Sequence, residues 1–242
     1  MFRASKRNMF TKTRVVICVP TRVTEVERRA VEDAVRSAGA QEVELIEEPM
    51  AAALGAGLPV FEATGSMIVD IGGGTCDVAV VSLGGIASGK SIKIAGEALD
   101  EAIIAYMKRE HNLLIGERTA EDIKIKLGSA KEYDGEGAME VRGRNLADGL
   151  PKSVEITSAD VRDILQEPVE QIIGAIRETL EVTLPELAAD IMDRGIYLTG
   201  GASQLRGLKE LIEEQTNIPV IVPENPTQCV VNGTSIKLRR AK

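Results

Sequence analysis

The chain alternates between short apolar runs and longer segments in which apolar residues recur at helical spacing. The run Arg14-Val-Val-Ile-Cys-Val-Pro20 is continuous and ends at proline, which predicts a buried strand of a parallel sheet. Further strands are predicted at 42–47, 66–70, 77–82, 91–95, 139–141, 153–156, 195–199 and 219–222. Helices are predicted at 49–54, 97–111, 119–130, 158–180, 203–216 and 227–238, besides one that begins after Thr24 and ends at Gly39. Strands alternating with helices indicate the α/β class.

Several helix boundaries carry residues that satisfy terminal N–H groups. Thr24 with Glu27 three residues later has the pattern of a capping box, and Val26 falls on the apolar face of the helix that follows. Ser158 is predicted to cap the long helix, in which Pro168 predicts a kink. No Pro- or Ser-rich linker is present, so any domains must be joined by elements that cross between them.

The most informative motif is Asp70-Ile-Gly-Gly-Gly-Thr-Cys-Asp77, a glycine turn between two predicted strands. The glycines would let consecutive backbone N–H groups approach one anion, and Thr75 adds a hydroxyl donor. Asp70 places a carboxylate where it could hold Mg²⁺, directly or through water. The alternative is a plain hairpin turn, which would not need all three glycines between Asp and Thr. The motif therefore predicts phosphate binding.

Three further motifs are weaker by themselves. Leu198-Thr-Gly-Gly-Ala-Ser203 joins a strand to a helix and could aim a helix N-terminus at phosphates, although Gly-Gly connectors are common. Glu48, held by Pro49, could orient a water for attack on a phosphoryl group, but alone it indicates a solvated acidic helix start. Glu121 and Lys124 lie three residues apart on one helix, which by itself indicates a surface ion pair.

Composition narrows the classes of function. The net charge of −8 and a pI near 5.0 disfavour a non-specific nucleic-acid binder, and aromatic residues at 2% leave few stacking platforms. The single histidine, His111, excludes sites built on paired imidazoles. The three cysteines are far apart in the sequence, so no structural disulfide is expected, which is typical of proteins of the reducing cytosol. No apolar run reaches the roughly 18–20 residues of a membrane-spanning helix, and the segment before Arg14 does not have the pattern of a signal peptide.

In their order along the chain, these motifs resemble the MreB family of bacterial actins, part of the actin and heat-shock-chaperone ATPase superfamily. The similarity is nearly residue for residue at 15–20, 24–31, 46–53, 70–75, 141–146 and 198–201. Glu-Pro-x-Ala-Ala-Ala followed by Asp-x-Gly-Gly-Gly-Thr is specific to the superfamily, and Val141-Arg-Gly-Arg144 narrows it to the family. The resemblance runs from about Arg14 to Leu238.

The resemblance implies an α/β, actin-like ATPase fold of two ribonuclease-H-like lobes with ATP and Mg²⁺ in the cleft. By the same resemblance, Glu48 would position the hydrolytic water and Asp70 would bind the metal. The nucleotide would be bound by Gly72, Gly73, Gly74 and Thr75 at its phosphates, by Glu121 and Lys124 at the nucleoside, and by Gly200, Gly201 and Ala202 at an adenosine turn.

The resemblance also predicts the domain organisation. Residues 1–57 would be the remnant of an incomplete first lobe, 58–94 and 157–242 the second lobe, and 95–156 a small α+β subdomain inserted into it. The family's first phosphate loop, of the type Asp-x-Gly-Thr, is not found before Arg14. Strand 15–19 would then present an open apolar edge, which predicts low solubility or a partly disordered first segment.

Three smaller positions depart from the family pattern. Ala95 stands where the family prefers Gly, Ala202 replaces a third Gly, and Thr234-Ser235 occupies a turn that is usually glycine-rich. Because of these departures and the missing loop, whether the chain hydrolyses ATP stays open at the level of the sequence.

The function implied by the resemblance is that of a cytoplasmic cytoskeletal protein at the inner face of the cell membrane. It would assemble with itself into filaments and organise cell-wall growth with the cell-wall elongation proteins, without binding nucleic acid. Met9-Phe10, flanked by Lys6, Arg7 and Lys12, could insert into anionic lipid; a frayed terminus is the alternative. A truncated, non-hydrolysing paralogue acting through protein contacts is the alternative function, and a chaperone-type or sugar-kinase ATPase is a third.

Overall fold

The structure is a computed structural model, and it describes residues 13–21 and 23–240. The strands are β1 Arg14–Val19, β2 Glu42–Glu47, β3 Ser66–Ile71, β4 Cys76–Ser82, β5 Gly85–Ile92, β6 Leu113–Leu114, β7 Ala138–Asn145, β8 Pro151–Thr157, β9 Ile196–Thr199 and β10 Val220–Ile221. The helices are α1 Glu25–Ser37, α2 Glu48–Gly55, α3 Gly96–His111, α4 Glu117–Leu127, α5 Ser158–Glu181, α6 Pro185–Arg194, α7 Leu208–Thr216 and α8 Cys229–Arg240. Short 3-10 turns lie at Ala202–Gln204 and Pro226–Gln228.

The first sheet pairs β1 and β2 in parallel, with α1 as the crossover between them. The start of α1 has the predicted capping box, since the Thr24 hydroxyl accepts from the Glu27 N–H at 3.3 Å and the Glu27 carboxylate accepts from the Thr24 N–H at 2.8 Å. α2 follows β2 directly and has Pro49 in its first turn, as predicted. These boundaries follow from local chemistry, which explains why the sequence alone locates them.

The five-stranded sheet has the order β10-β9-β3-β4-β5, with β3 antiparallel to β4 and parallel to β9. All six residues of β3 are buried, because both faces of the sheet are covered. Met67, Val69 and Ile71 join a core that includes side chains of α3 and α5, whereas Ile68 joins a second core with α2. The turn that follows β3 is therefore held by a strand buried on both faces.

The third sheet is antiparallel, has the order β6-β7-β8 and packs with α3 and α4. In the sequence it lies between β5 and α5, where a small α+β subdomain is predicted. The proposed limits of that subdomain, 95–156, and of the two lobes stay predictions.

Helices α2 and α8 pack with their backbones in contact at two glycines. A Cβ added at Gly55 would lie 1.8 Å from the Cys229 carbonyl oxygen, and one added at Gly233 would lie 1.8 Å from the Ala51 carbonyl oxygen. Both obstacles are backbone atoms, which cannot rotate away as a side chain would. The two helices can therefore approach this closely only with glycine at both positions.

Gly233→Ala is expected to lower the free energy of unfolding by about 2–3 kcal/mol, because the methyl group must push α8 away from the buried α2. Equilibrium urea unfolding measures the effect. The matched control is Gly174→Ala in α5, where an added Cβ has no atom within 4 Å; it should stabilise the chain by about 0.5–1 kcal/mol through helix propensity. Equal stabilities of Gly233→Ala and the unsubstituted chain would contradict the tight crossing.

Several predicted elements have different bounds in the structure; the strand predicted at 139–141 is β7 and the helix predicted at 119–130 is α4. Neither β6 nor α6 was predicted from the sequence. Two of the differences have a clear local cause. The strand predicted at 91–95 is β5, which begins at Gly85 because Leu83 (φ 50°) and Gly84 (φ 77°) form the tight turn of a hairpin with β4. Small and polar residues in β5 gave no apolar run to mark its start. The helix predicted at 203–216 begins only at Leu208, because Gly207 is left-handed (φ 72°) and interrupts it.

Other corrections concern single residues. Val26 is 77% exposed, so it does not pack on an apolar core face. Thr157, not Ser158, caps α5, since its hydroxyl accepts from the Asp160 N–H at 3.2 Å. Residues 234–235 lie inside α8 rather than in a turn. α5 continues through Pro168, and the kink predicted there stays a prediction.

Two expectations concern edges and membranes. Within the described residues β1 pairs with β2; the predicted open edge and its consequences for solubility and order stay predictions. None of the helices in this part of the chain is long and apolar enough to cross a membrane. Met9-Phe10 and the flanking Lys6, Arg7 and Lys12 lie outside the described residues.

Candidate functional site

The glycine loop joins β3 to β4 and is fastened to the start of α3. The Gly72 N–H donates to the Thr75 carbonyl at 2.9 Å, which closes the loop on itself. The carbonyls of Gly72 and Gly73 accept from the N–H groups of Gly96 and Glu97 at 3.1 and 2.8 Å. The first N–H groups of α3 are thereby satisfied by the loop, so the loop and the helix start are held as one unit.

The exposed tip of the loop consists of Gly73 and Gly74. Among the described residues, neither of their N–H groups has a hydrogen-bond acceptor, which leaves both donors available to an anion. A Cβ at Gly73 would lie 3.2 Å from a carboxylate oxygen of Glu97, an exposed side chain beside the loop. A side chain at this position would therefore require only the flexible Glu97 carboxylate to move.

Asp70 is the penultimate residue of β3 and is buried, 9% exposed. The Thr199 hydroxyl on β9 donates to its Oδ1 at 2.9 Å. Burial raises the pKa of the Asp70 carboxyl; the hydrogen bond from Thr199 opposes that rise and the charge of Asp77 adds to it. The ionised form of Asp70 is therefore disfavoured in the folded chain, and a bound cation would stabilise it.

Asp77 lies directly opposite Asp70 in the β3–β4 ladder and is 2% exposed. Its Oδ1 accepts no hydrogen bond from any residue that the structure describes. The sequence prediction did not select Asp77 as a site residue, although a second Asp at the other end of the glycine turn was the available signal. A buried carboxylate oxygen without a donor is costly and marks this side of the loop as suited to positive charge.

Glu48 is half-buried at the first position of α2. Burial raises the pKa of its carboxyl, and the charges of Asp77 and Asp70 raise it further. Its neighbour Glu47 instead forms an ion pair with Arg28 at 2.9 Å. Of the two glutamates, Glu47 is thus paired with α1, whereas the Glu48 carboxyl is affected by the charges of Asp70 and Asp77 beside the glycine loop.

The predicted adenosine turn follows β9. Gly200 is left-handed (φ 89°), and a Cβ there would lie 2.2 Å from the Ile71 carbonyl oxygen, so only glycine fits beside the end of β3. The Ser203 hydroxyl donates to the Gly200 carbonyl at 2.6 Å and fixes the turn. Gly201 and Ala202 continue from it toward a cleft.

Lys124 is tied to α3 rather than to Glu121. Its ammonium donates to Oδ2 of Asp100 at 2.7 Å and to the Gly96 carbonyl at 3.0 Å. Both side chains of the Lys124–Asp100 pair are only 15% exposed, and burial raises the pKa of Asp100, against the opposing effect of Lys124. The surface ion pair with Glu121, which the spacing predicted, is therefore not formed. Asp100 could not be picked out from the sequence, because an acidic residue near a helix start is common.

A cleft of about 1290 Å³ lies between these elements. The predicted site residues that line it are Gly72, Gly73, Glu121, Lys124, Gly201 and Ala202. Gly74, Thr75, Asp70, Gly200 and Glu48 are not part of its lining, although Gly200 directly precedes the lining residue Gly201. Among residues 13–21 and 23–240, no group of three or more His, Cys, Asp or Glu side chains is arranged to hold a metal ion.

The family model described as MreB/Mbl protein matches residues 1–242. The chain is 54% identical over 220 residues to the cell shape-determining protein MreB of Escherichia coli K12, covering 91% of this chain and 63% of that protein. It is 47% identical over 232 residues to the cell shape-determining protein Mbl of Bacillus subtilis 168, covering 96% and 70%. The chain thus spans 63% and 70% of the lengths of these two curated relatives.

Two of the similar solved structures are of MreB5 from Spiroplasma citri. The form bound to AMPPNP superimposes with a TM-score of 0.93 at 37% identity, covering 99% of this chain and 72% of the other. The form bound to ADP gives 0.92 at 38% identity, covering 96% and 71%. The MamK double helical filament, at 22% identity and a TM-score of 0.78, is similar in fold alone. These likenesses confirm the predicted fold.

Proposed function

The chain belongs to the MreB/Mbl family, and from that premise we propose that it is an ATP-binding, actin-like cytoskeletal protein. In this proposal it assembles into membrane-associated filaments and determines cell shape by organising cell-wall synthesis. The observation that supports it most directly is one cleft lined by both glycine-containing turns, Gly72–Gly73 after β3 and Gly201–Ala202 after β9. The bound ADP and AMPPNP of the two MreB5 structures agree with a nucleotide in such a cleft.

In the proposed complex the phosphates of ATP would lie at the glycine loop beside the cleft, and the nucleoside would lie within the cleft. The free N–H groups of Gly73 and Gly74, with the Thr75 hydroxyl, would bind phosphate oxygens. The nucleoside would lie between Gly201–Ala202 on one side and Glu121 with Lys124 on the other. The fixed left-handed Gly200 supports this assignment, because it lets the adenosine turn lie against the end of β3.

Mg²⁺ is the proposed metal, and Asp70 is the residue that would hold it. Burial of Asp70, together with the donor-free Oδ1 of Asp77, suits a divalent cation, whose remaining ligands in nucleotide sites are waters and phosphate oxygens. The metal would supply charge neutralisation at the phosphates. Glu48 would accept a proton from a water molecule that it orients toward the terminal phosphate.

The proposed partners follow from family membership and charge. Other copies of the chain would form the filament, and the inner face of the cell membrane and the cell-wall elongation proteins would be its cellular context. The net charge of −8 supports the absence of nucleic acid among the partners. The proposed location is accordingly cytoplasmic and peripheral to the membrane.

Sedimentation with Mg-ATP tests the proposal. The purified chain is expected to pellet with Mg-ATP and to stay in the supernatant in EDTA, because assembly would depend on the liganded cleft. Negative-stain electron microscopy of the pellet distinguishes filaments from amorphous aggregates that pair through the edge of β1. A chain that binds ATP without forming filaments would contradict the cytoskeletal role, and a folded chain that does neither would contradict the proposal as a whole.

A further inference from the structure

The two sides of the proposed nucleoside site lie on separate parts of the chain. Gly201 and Ala202 follow β9, and we refer to them as the turn wall. Glu121 and Lys124 lie on α4, and we refer to them as the helix wall. Since the walls do not share a backbone element, their separation must be set by contacts between the two segments.

Arg206 makes the most direct of these contacts. Its Nη1 donates to the carbonyls of Lys126 at 3.1 Å and of Gly128 at 3.3 Å. Lys126 lies in the last turn of α4 and Gly128 caps it, so the guanidinium satisfies terminal carbonyls and lies at the negative end of the helix dipole. The side chain thereby ties the turn wall's own segment to the end of the helix wall.

Backbone contacts extend the same link. The Ala130 N–H donates to the Arg206 carbonyl at 2.7 Å, and Ser129 forms a β-bridge with Arg206. The guanidinium also lies over the Tyr133 ring, 5.4 Å from its centre, in the geometry of a cation–π contact. The Tyr133 hydroxyl in turn hydrogen-bonds to Ser158 at the start of α5 with an O–O distance of 3.0 Å.

We propose that Arg206 is a positioning residue that sets the separation of the two nucleoside walls and so the affinity for the nucleoside part of ATP. The inference rests on the proposed function, because it takes the cleft to bind ATP. Arg206 also lines the cleft, but the role assigned to it acts through α4. The glycine loop is held by the N–H groups of Gly96 and Glu97 on α3, and α4 contacts the same helix through Lys124. Neither contact involves Arg206, so a change at Arg206 should leave the loop in place.

The test compares ATP with inorganic tripolyphosphate, which has phosphates but no nucleoside. In Arg206→Lys the charge remains, but the shorter side chain has no planar guanidinium that can lie over the Tyr133 ring while donating to the two carbonyls. Calorimetry with Mg²⁺ present is expected to show ATP binding weakened by at least about tenfold and tripolyphosphate binding changed by less than about twofold. Tyr133→Leu, which removes the ring together with the hydrogen bond of its hydroxyl to Ser158, should shift ATP affinity in the same direction and provides the test if Arg206→Lys does not fold.

The matched control is Glu214→Gln, which removes the ion pair between Lys131 and Glu214 at 2.6 Å. That pair also bridges the two segments but is exposed, so its loss should leave both affinities unchanged. Equal weakening of ATP and tripolyphosphate, or unchanged ATP affinity in Arg206→Lys, would overturn the positioning role alone. Failure of the unsubstituted chain to bind ATP would overturn the proposed function, and this inference with it.

Discussion

Asp70→Asn is expected to weaken Mg-ATP binding by about 100-fold or more, since it removes the charge that would hold the metal at the end of β3. Asparagine keeps the side-chain shape and an oxygen that can accept from the Thr199 hydroxyl, a bond of 2.9 Å in the parent chain. The loss should therefore reflect charge rather than a disturbed strand. Calorimetric titration with Mg-ATP measures it, and Asp134→Asn, at an exposed position, is the charge-matched control.

The same substitution should make the unliganded chain more stable at neutral pH. Because burial raises the pKa of Asp70, the folded chain binds this proton more tightly than the unfolded chain does, and stability falls as pH rises from the unfolded pKa through the raised one. Asparagine does not ionise, so the stability of Asp70→Asn should not fall over this pH range. Urea unfolding from about pH 3 to about pH 8 should show the two chains diverging as pH increases.

Two results would contradict this account of Asp70. Unchanged Mg-ATP affinity in Asp70→Asn would show that the carboxylate does not hold the metal. A lower stability of Asp70→Asn at neutral pH without ligand would show that the buried charge is not the unfavourable element that the structure indicates. Reduced stability and lost binding together would indicate a disturbed β3 rather than a missing ligand.

The parts of the fold that the sequence predicts well are those that local chemistry determines. β1 and β2 are continuous apolar or alternating segments, and their helix α1 begins at a capping box, so each boundary is marked where it occurs. β5 was misplaced because its register depends on the tight turn at Leu83-Gly84 and on pairing with β4. The break before α7 depends on the single left-handed residue Gly207.

The residues of the candidate site likewise divide into those that the sequence predicts and those that only the fold reveals. The glycine loop and Gly200 are visible in the sequence because a tight turn needs contiguous glycines. Asp100 and Arg206 are not visible, because what distinguishes them is a contact 24 residues away for the Lys124–Asp100 bond and about 80 residues away for Arg206. Motifs in the sequence thus predict the residues that would contact a ligand. The contacts that hold the turn wall and the helix wall in place are seen only in the folded chain.

Glu48→Gln is expected to lower the rate of ATP hydrolysis by about 10²–10³-fold, because glutamine cannot accept a proton from the attacking water. ATP affinity should stay within about threefold, since Glu48 is not part of the cleft lining that would contact the nucleotide. The measurement is phosphate release in a single turnover with the chain in excess over ATP. The combination of retained binding and lost turnover separates a role in the reaction from a role in binding.

The adjacent residue provides the control. Glu47→Gln removes the same charge one position earlier, but Glu47 is paired with Arg28 at 2.9 Å and should leave hydrolysis within about twofold of the parent rate. Because burial, Asp77 and Asp70 raise the pKa of Glu48, hydrolysis by the parent chain should decline as pH falls at a higher pH than an ordinary glutamate would give. Equal rates in Glu48→Gln and the parent would contradict the role of Glu48. A parent chain that binds ATP without hydrolysing it would limit the cleft to nucleotide-dependent assembly, since binding and water activation depend on residues of different elements.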